Sequence, residues 1–158
     1  MKNYKTVRPV IDYKMRNLCK HPYHNHKNGC INWGNKKKKQ CPPHGPKIEE
    51  IIDLDREVYC VYNKFDLGLH VDKMKEKHPE WTYYQLRCVL YWQGRARKEL
   101  KSHIKNFLRD IDQKDFVLVE CPEGCGVNVT ETMKQIGIEL EWPPQKWAYQ
   151  VVLIGHKK

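Results

Sequence analysis

The sequence predicts an α/β fold in which a small mixed sheet is crossed by one long helix and preceded by an irregular N-terminal arm. Two observations indicate the class: short runs rich in β-branched and aromatic residues, typical of strands, and amphipathic stretches with helical spacing. A third is the change at Pro46, before which Pro, Gly, Asn, His and Lys recur without a period of 2 or 3.6. We expect an arm at 1–46 and an α/β core at 47–158, folding together as a single domain.

The long helix is the strongest element of this prediction. Thr82 and Gln85 have the spacing of a capping box, so we expect a helix from about Tyr83, with a kink or break near Gly94. Its apolar face follows three- and four-residue steps through Tyr84, Cys88, Tyr91, Trp92, Leu100, Ile104, Phe107, Leu108 and Ile111.

Shorter elements flank this helix. A short helix at 47–52 and a strand at 57–62 precede it, and a buried strand at 116–119 follows. Asn128 and Glu131 then cap a helix that ends at Gly137, and two strands follow at 138–141 and 148–154. A strand, a long helix and a strand predict a right-handed parallel crossover, with the last pair completing a mixed sheet.

Three cysteines recur in the arm with ten residues between neighbours, namely Cys19, Cys30 and Cys41. A long segment without regular structure is unusual in a compact domain unless a metal holds it, so we expect these thiols to bind one metal centre. An iron-sulfur cluster, with 4Fe-4S favoured, fits the all-cysteine donors and the Cys-Pro dipeptides at 41 and 121. Zinc is the alternative, with a fourth ligand from the distant cysteine loop or from His21, His24, His26 or His44. The third reading is that no metal binds.

A second cysteine pair, Cys121 and Cys125, lies where a predicted strand leads into a helix. Such loops commonly hold ligands in α/β proteins, and Gly124 and Gly126 allow a tight turn there. We therefore expect this loop to approach the same centre, the alternative being a glycine-rich turn with two structural cysteines.

The stretch Cys41-Pro42-Pro43-His44-Gly45-Pro46 follows two earlier cysteines. Together with 126–129, 137–138 and 151–154, it resembles an uncharacterised family of small cysteine-rich predicted metal-binding proteins. Members of that family carry a closer first cysteine pair and more cysteines after the central helix, and this chain departs on both points. The resemblance implies metal binding and no particular reaction.

The chain is basic, with 29 Lys and Arg against 19 Asp and Glu, a formal net charge of +10. This excess favours polyanions such as RNA or DNA, although a merely solvated surface is the alternative. The residues expected to contact phosphates are Lys36, Lys37, Lys38, Lys39, Lys98, Lys101, Lys105 and Arg109.

Several functional classes are excluded. The sequence has no phosphate-binding glycine loop, serine nucleophile elbow or paired catalytic carboxylates, which argues against ordinary kinases and hydrolases. No signal peptide and no run of eighteen apolar residues occurs, so we expect a cytoplasmic protein without a membrane partner, and seven cysteines there fit disulfides poorly.

Three functions then remain. The first is a basic metal-binding module, or a subunit of a larger protein complex, with nucleic-acid contact. The second is an iron-sulfur enzyme with an open iron, for sulfur or redox chemistry on a nucleoside or small metabolite. The third is a zinc-stapled interaction protein.

Overall fold

A computed structural model describes residues 2–22 and 26–158. Its sheet has four strands: β1 (Tyr4–Val7), β2 (Val58–Asp66), β3 (Phe116–Val119) and β4 (Trp147–His156). Its helices are α1 (Ile48–Ile51), α2 (Leu67–Lys77), α3 (Tyr83–Leu86), α4 (Gln93–Asp110) and α5 (Val129–Lys134), with short 3-10 helices at Tyr13–Lys20, Val89–Tyr91 and Glu123–Cys125. The predicted α/β class is confirmed. No described helix is long and apolar enough to cross a membrane.

The strand order is β1-β2-β4-β3, and every neighbouring pair is antiparallel. The predicted mixed sheet with a parallel crossover is therefore wrong. β2 and β3 run in the same direction, as a strand-helix-strand unit should, but β4 lies between them and pairs with both. Insertion of the last strand depends on contacts between distant segments, which the local pattern of each strand does not encode.

Side chains alternate between the two faces of each strand, so the apolar core is divided between the two faces of the sheet. Val61 of β2 and Ile154 of β4 belong to the apolar cluster that includes Leu100 and Phe107 of α4. Their neighbours Cys60 and Leu153 point the other way, into a cluster with α1, α5 and the segment around Cys125. The layers are thus α4 on one face and α1, α5 and the arm on the other.

The predicted long helix is interrupted before Gly94. Its capping box is confirmed, since the Gln85 N–H donates to Thr82 Oγ1 at 3.3 Å. The chain then leaves the helix because Trp92 turns into the core. Its ring stacks on that of Phe65, with 5.2 Å between the ring centroids, and its indole N–H donates to the Arg87 carbonyl at 3.1 Å. Gly94 itself lies inside α4.

Some of the shorter predicted elements are confirmed, and one is wrong. The strand at 116–119 is confirmed, and so is the Asn128 cap, whose side chain accepts the Glu131 N–H at 3.0 Å. α5 ends at Lys134, with a turn at Gly137, whose φ is +78°. The predicted strand at 138–141 is wrong: Ile138 and Leu140 pack against the core from a loop.

The arm owes its order to hydrogen bonds with the core. β1 pairs with β2, and Ile11 forms an isolated antiparallel bridge with Val127. Two backbone hydrogen bonds flank this bridge: the Asn128 N–H donates to the Val10 carbonyl and the Asp12 N–H donates to the Gly126 carbonyl, both at 2.8 Å. Since no metal site is found in the described residues, the expectation of a metal-held arm is not supported. β1 and the first 3-10 helix are too short to give a periodic signal, so the sequence pattern presents the arm as irregular.

Candidate metal centre at the cysteine cluster

The structure brings the five predicted ligands together, and we call Cys19, Cys30, Cys41, Cys121 and Cys125 the cysteine cluster. Cys19 lies on the 3-10 helix Tyr13–Lys20, which packs against the 3-10 helix Glu123–Cys125. The Cys30 N–H donates to the Cys19 carbonyl at 2.7 Å, which joins the first two cysteines through the backbone. Segments far apart in the sequence therefore lie next to one another here.

Cys19 and Cys121 interact through their thiols, and this hydrogen-bonding interaction moves their pKa values in opposite directions. This bond lowers the pKa of Cys19, since it stabilises that thiolate, and it raises the pKa of Cys121, whose burial acts in the same direction. The two therefore titrate as a pair.

The other sulfurs lie within electrostatic range of this pair. Burial raises the pKa of Cys41, and the nearby Cys121 and Cys30 add to the effect. Cys125 is fully buried, which together with Cys121 raises its pKa to about 12. Mutual repulsion of this kind is what several neighbouring thiolates produce before a cation joins them.

Backbone N–H groups and cations face these sulfurs. The Asn32 N–H donates to Cys30 Sγ at 3.4 Å, and a backbone hydrogen bond from Gly124 favours the Cys121 thiolate. Lys38 and Arg16 lower the pKa of Cys41 and Cys125 respectively, against the stronger effect of burial. Hydrogen bonds to sulfur and nearby positive charge both stabilise thiolate ligands.

As they stand, the side chains do not form a coordination sphere. Within 2–22 and 26–158, no three His, Cys, Asp or Glu side chains converge closely enough to hold a metal ion, and all seven cysteines are free thiols. Metal binding therefore requires the clustered thiols to move closer to one another. Of the histidines, His21 and His44 are exposed, His26 lines a separate apolar cavity, and His24 lies outside the described residues.

The approach of the arm segments depends on glycine and on two polar side chains. A Cβ on Gly29 would lie 2.3 Å from the Cys19 carbonyl oxygen, so no larger residue fits there. Arg16 Nη2 donates to the Gly45 carbonyl at 2.7 Å, and Gln40 Nε2 donates to the Leu118 carbonyl of β3 at 3.1 Å. Arg16 and Gln40 are not among the predicted site residues, because single polar residues in an irregular segment carry no periodic signal.

A cleft of about 630 Å³ opens beside the cluster, with Cys19 and Cys121 in its wall. Met15, Leu18 and Trp142 make most of the remaining wall apolar. Two of the clustered thiols are thus next to a space that a small molecule can enter.

The predicted phosphate contacts are exposed, and they occupy two separate elements. Four of them lie in the turns just before Gln40: Lys36, Lys37, Lys38 and Lys39. The others, on α4, are Lys98, Lys101, Lys105 and Arg109. Among the described residues, Arg109 alone of the eight has a carboxylate within 4 Å, that of Asp110 at 3.8 Å.

Comparison of the chain with protein-family models, with curated proteins and with solved structures finds no match. The family resemblance of its Cys-Pro-Pro stretch therefore stays a prediction.

Proposed function

We propose that the chain is a metal-binding protein whose cysteine cluster holds an iron-sulfur cluster, with zinc as the alternative metal. The observation that supports this is that three arm segments and one distant loop, which together carry five cysteines, lie next to one another. Neighbouring thiolates repel one another, and a soft cation removes that repulsion, so a group of adjacent thiols is a suitable donor set for iron or zinc.

Four of the five are the ligands in this proposal: Cys19, Cys30, Cys41 and Cys121, all of them partly exposed. Cys125 is fully buried and its Sγ lies 3.9 Å from the Gln40 carbonyl oxygen, so we assign it a supporting role. Four thiolates complete a 4Fe-4S cluster or a tetrahedral zinc site.

Metal analysis tests the proposal. Protein purified without oxygen should contain iron and sulfide with a visible absorption band, or else one zinc per chain. Serine at any of the four ligand positions should remove most of the metal. Cys88→Ser is the matched control, since Cys88 is partly exposed and lies outside the cluster, and it should keep full occupancy. Full metal in all four single variants would exclude the proposed site.

A second candidate function is nucleic-acid binding, which would make the chain a basic module or a subunit of a larger complex. It is favoured by the exposed cations of α4, of which Lys98, Lys101 and Lys105 have no carboxylate within 4 Å among the described residues. Phosphates can neutralise such cations, and contacts of this kind do not read sequence.

Salt dependence tests this second candidate. Changing Lys98, Lys101 and Lys105 to Gln should flatten the slope of log affinity against log salt by roughly 0.7 to 0.9 per lost contact. Changing Lys73, Lys75 and Lys77, exposed residues of α2, removes the same charge elsewhere and should leave that slope unchanged. If neither RNA nor DNA binds at low salt, the charge is only a solvated surface.

The enzyme and the zinc-stapled alternatives differ from these in ligand number and metal. Three cysteine ligands with one open iron would indicate sulfur or redox chemistry on a nucleoside or small metabolite, and four ligands on zinc would indicate an interaction protein. The same metal analysis on the four serine variants separates them.

A further inference from the structure

The cleft beside Cys19 and Cys121 has one flat aromatic wall, and the two thiols also line it. The wall is Trp142, whose ring is 66% exposed and whose indole N–H donates to Thr130 Oγ1 at 2.9 Å, which fixes its orientation. Leu18, 47% exposed, lines the same cleft. Exposed apolar side chains that line one concave surface are typical of ligand sites.

Apart from its thiols, the titratable side chains in the described wall of this cleft are carboxylic acids. Glu123 and Glu131 line it, whereas no Lys, Arg or His belongs to the part of its wall that the structure describes. Lys134 bonds Glu131 at 2.9 Å and so offsets one of the two carboxylates from outside the cleft. An anion that entered would lose its hydration and find no cation in compensation.

The volume is that of a site for a small molecule. About 630 Å³ lies within the usual range for small-molecule pockets, and the two thiols in its wall are two of the four proposed metal ligands. A molecule in this cleft would therefore lie beside two of the residues that would hold the metal.

We propose that this cleft is the ligand site of the cysteine centre and that it takes a neutral or cationic molecule with a flat apolar body, and not an anion. The location at a metal centre rests on the proposed function, whereas the cleft and its preference stand on Trp142, Leu18 and the lining charges. The preference also separates this site from any phosphate contact, which the exposed lysines would make elsewhere on the surface.

Two naphthalene probes of nearly identical shape test the preference. N-phenyl-1-naphthylamine is neutral, and 1-anilinonaphthalene-8-sulfonate adds one negative charge to the same body. Titration of the full-length protein by probe fluorescence should give at least about tenfold tighter binding of the neutral probe, since the sulfonate must be desolvated without a cationic partner. Equal affinity for the two probes, or no binding of the neutral one, would overturn the proposal.

Variants locate the site. Trp142→Ala and Leu18→Ser both change exposed side chains, and each should weaken binding of the neutral probe about fivefold to tenfold through lost apolar contact. Leu90→Ala is the matched control, because Leu90 is 85% exposed in a different apolar cavity around Tyr83 and Arg87. Weakening by Leu90→Ala, with Trp142→Ala unchanged, would assign the probe to that other cavity and contradict the proposal.

Metal content measured on the same samples keeps the two proposals apart. Absence of metal from the wild-type protein would remove the metal centre while the probe titration still decides whether the cleft binds. Metal present with no neutral-probe binding would retain the centre and remove the cleft as its ligand site.

Discussion

At the scale of single residues, backbone freedom at Gly29 decides whether the arm cysteines can approach each other. Its φ of +79° is in the left-handed region, and a Cβ there would lie 2.3 Å from the Cys19 carbonyl oxygen and 2.6 Å from the Lys20 carbonyl carbon. These are backbone atoms, which cannot rotate away. The 2.7 Å bond between the Cys30 N–H and the Cys19 carbonyl forms at this same turn.

Gly29→Ala should therefore lower the free energy of unfolding by more than Gly34→Ala does. Gly34 has a φ of +74° but open space around it, so alanine there costs only the left-handed strain, about 1–2 kcal/mol. Gly29→Ala adds the clash to that strain. Urea unfolding of the two variants measures the difference, and equal losses would show that the turn at Gly29 is looser than described.

The pair formed by His156 and Asp115 is one residue-scale source of pH-dependent stability. His156 Nδ1 lies 2.8 Å from Asp115 Oδ1, and this bond lowers the pKa of Asp115 below its ordinary 3.8. A carboxylate whose pKa is depressed in the folded state stabilises the protein above the unfolded pKa. That contribution is lost as the pH falls through the lower, folded pKa.

Asp115→Asn should accordingly flatten the acid side of the stability profile. The variant should be less stable than the wild type above about pH 5, and the gap should narrow towards about pH 3 as wild-type Asp115 takes up its proton. Asp112→Asn, an exposed change outside the ion pairs of the described residues, should leave the profile unchanged. A gap that does not vary with pH would show that the pair does not act through charge.

At the scale of elements, α4 shows how far a helical period alone can predict burial. Phe107 and Leu108 both fall within the predicted apolar face, yet Phe107 is fully buried and Leu108 is 45% exposed. Only one face of α4 packs against β2, and Phe107 lies on that face. The centroid of its ring is 4.9 Å from that of Tyr4 and 5.6 Å from that of Phe116.

Phe107→Ala should cost about 3–5 kcal/mol, because it removes a ring around which three others pack. Leu108→Ala, one position along the same helix, should change the free energy of unfolding by less than about 1 kcal/mol. Thermal or urea unfolding of the pair measures this contrast. Comparable losses at both positions would mean that α4 is rotated relative to the sheet.

At the scale of the whole molecule, side-chain amides fasten the arm to the core. Gln40 Nε2 donates to the Leu118 carbonyl at 3.1 Å, and its Oε1 accepts the Glu120 N–H at 3.3 Å. Gln135 makes a comparable pair of bonds with the backbone of Arg8, at 3.0 and 2.7 Å. These bonds link the arm to the core through protein groups alone.

Gln40→Ala should make the neighbouring lysines 36–39 more susceptible to trypsin, because the turn loses its link to β3. Gln135→Ala is the matched control, and it should leave cleavage at these lysines unchanged. Removal of metal with a chelator should increase this cleavage less than Gln40→Ala does. If chelation alone opens the segment, a metal contributes more to the order of the arm than its hydrogen bonds indicate.

The sequence by itself determined the features that depend on near neighbours. The Asn128 cap, the Thr82 and Gln85 box and the strand Phe116–Val119 are specified by residue types within a few positions of each other, so they could be predicted and are confirmed. Spacing and residue type likewise selected the five cysteines that the structure gathers, although their metal remains a proposal.

Only the tertiary structure decided how these parts are arranged. The position of β4 between β2 and β3, the break at Trp92 and the pairing of β1 with β2 arise from contacts between segments far apart in the chain. Gln40 could not be recognised for the same reason, since its partners at 118 and 120 are distant in sequence. Local pattern fixes which residues form an element or bear a thiol, whereas the packing free energy of the whole chain fixes which of them meet.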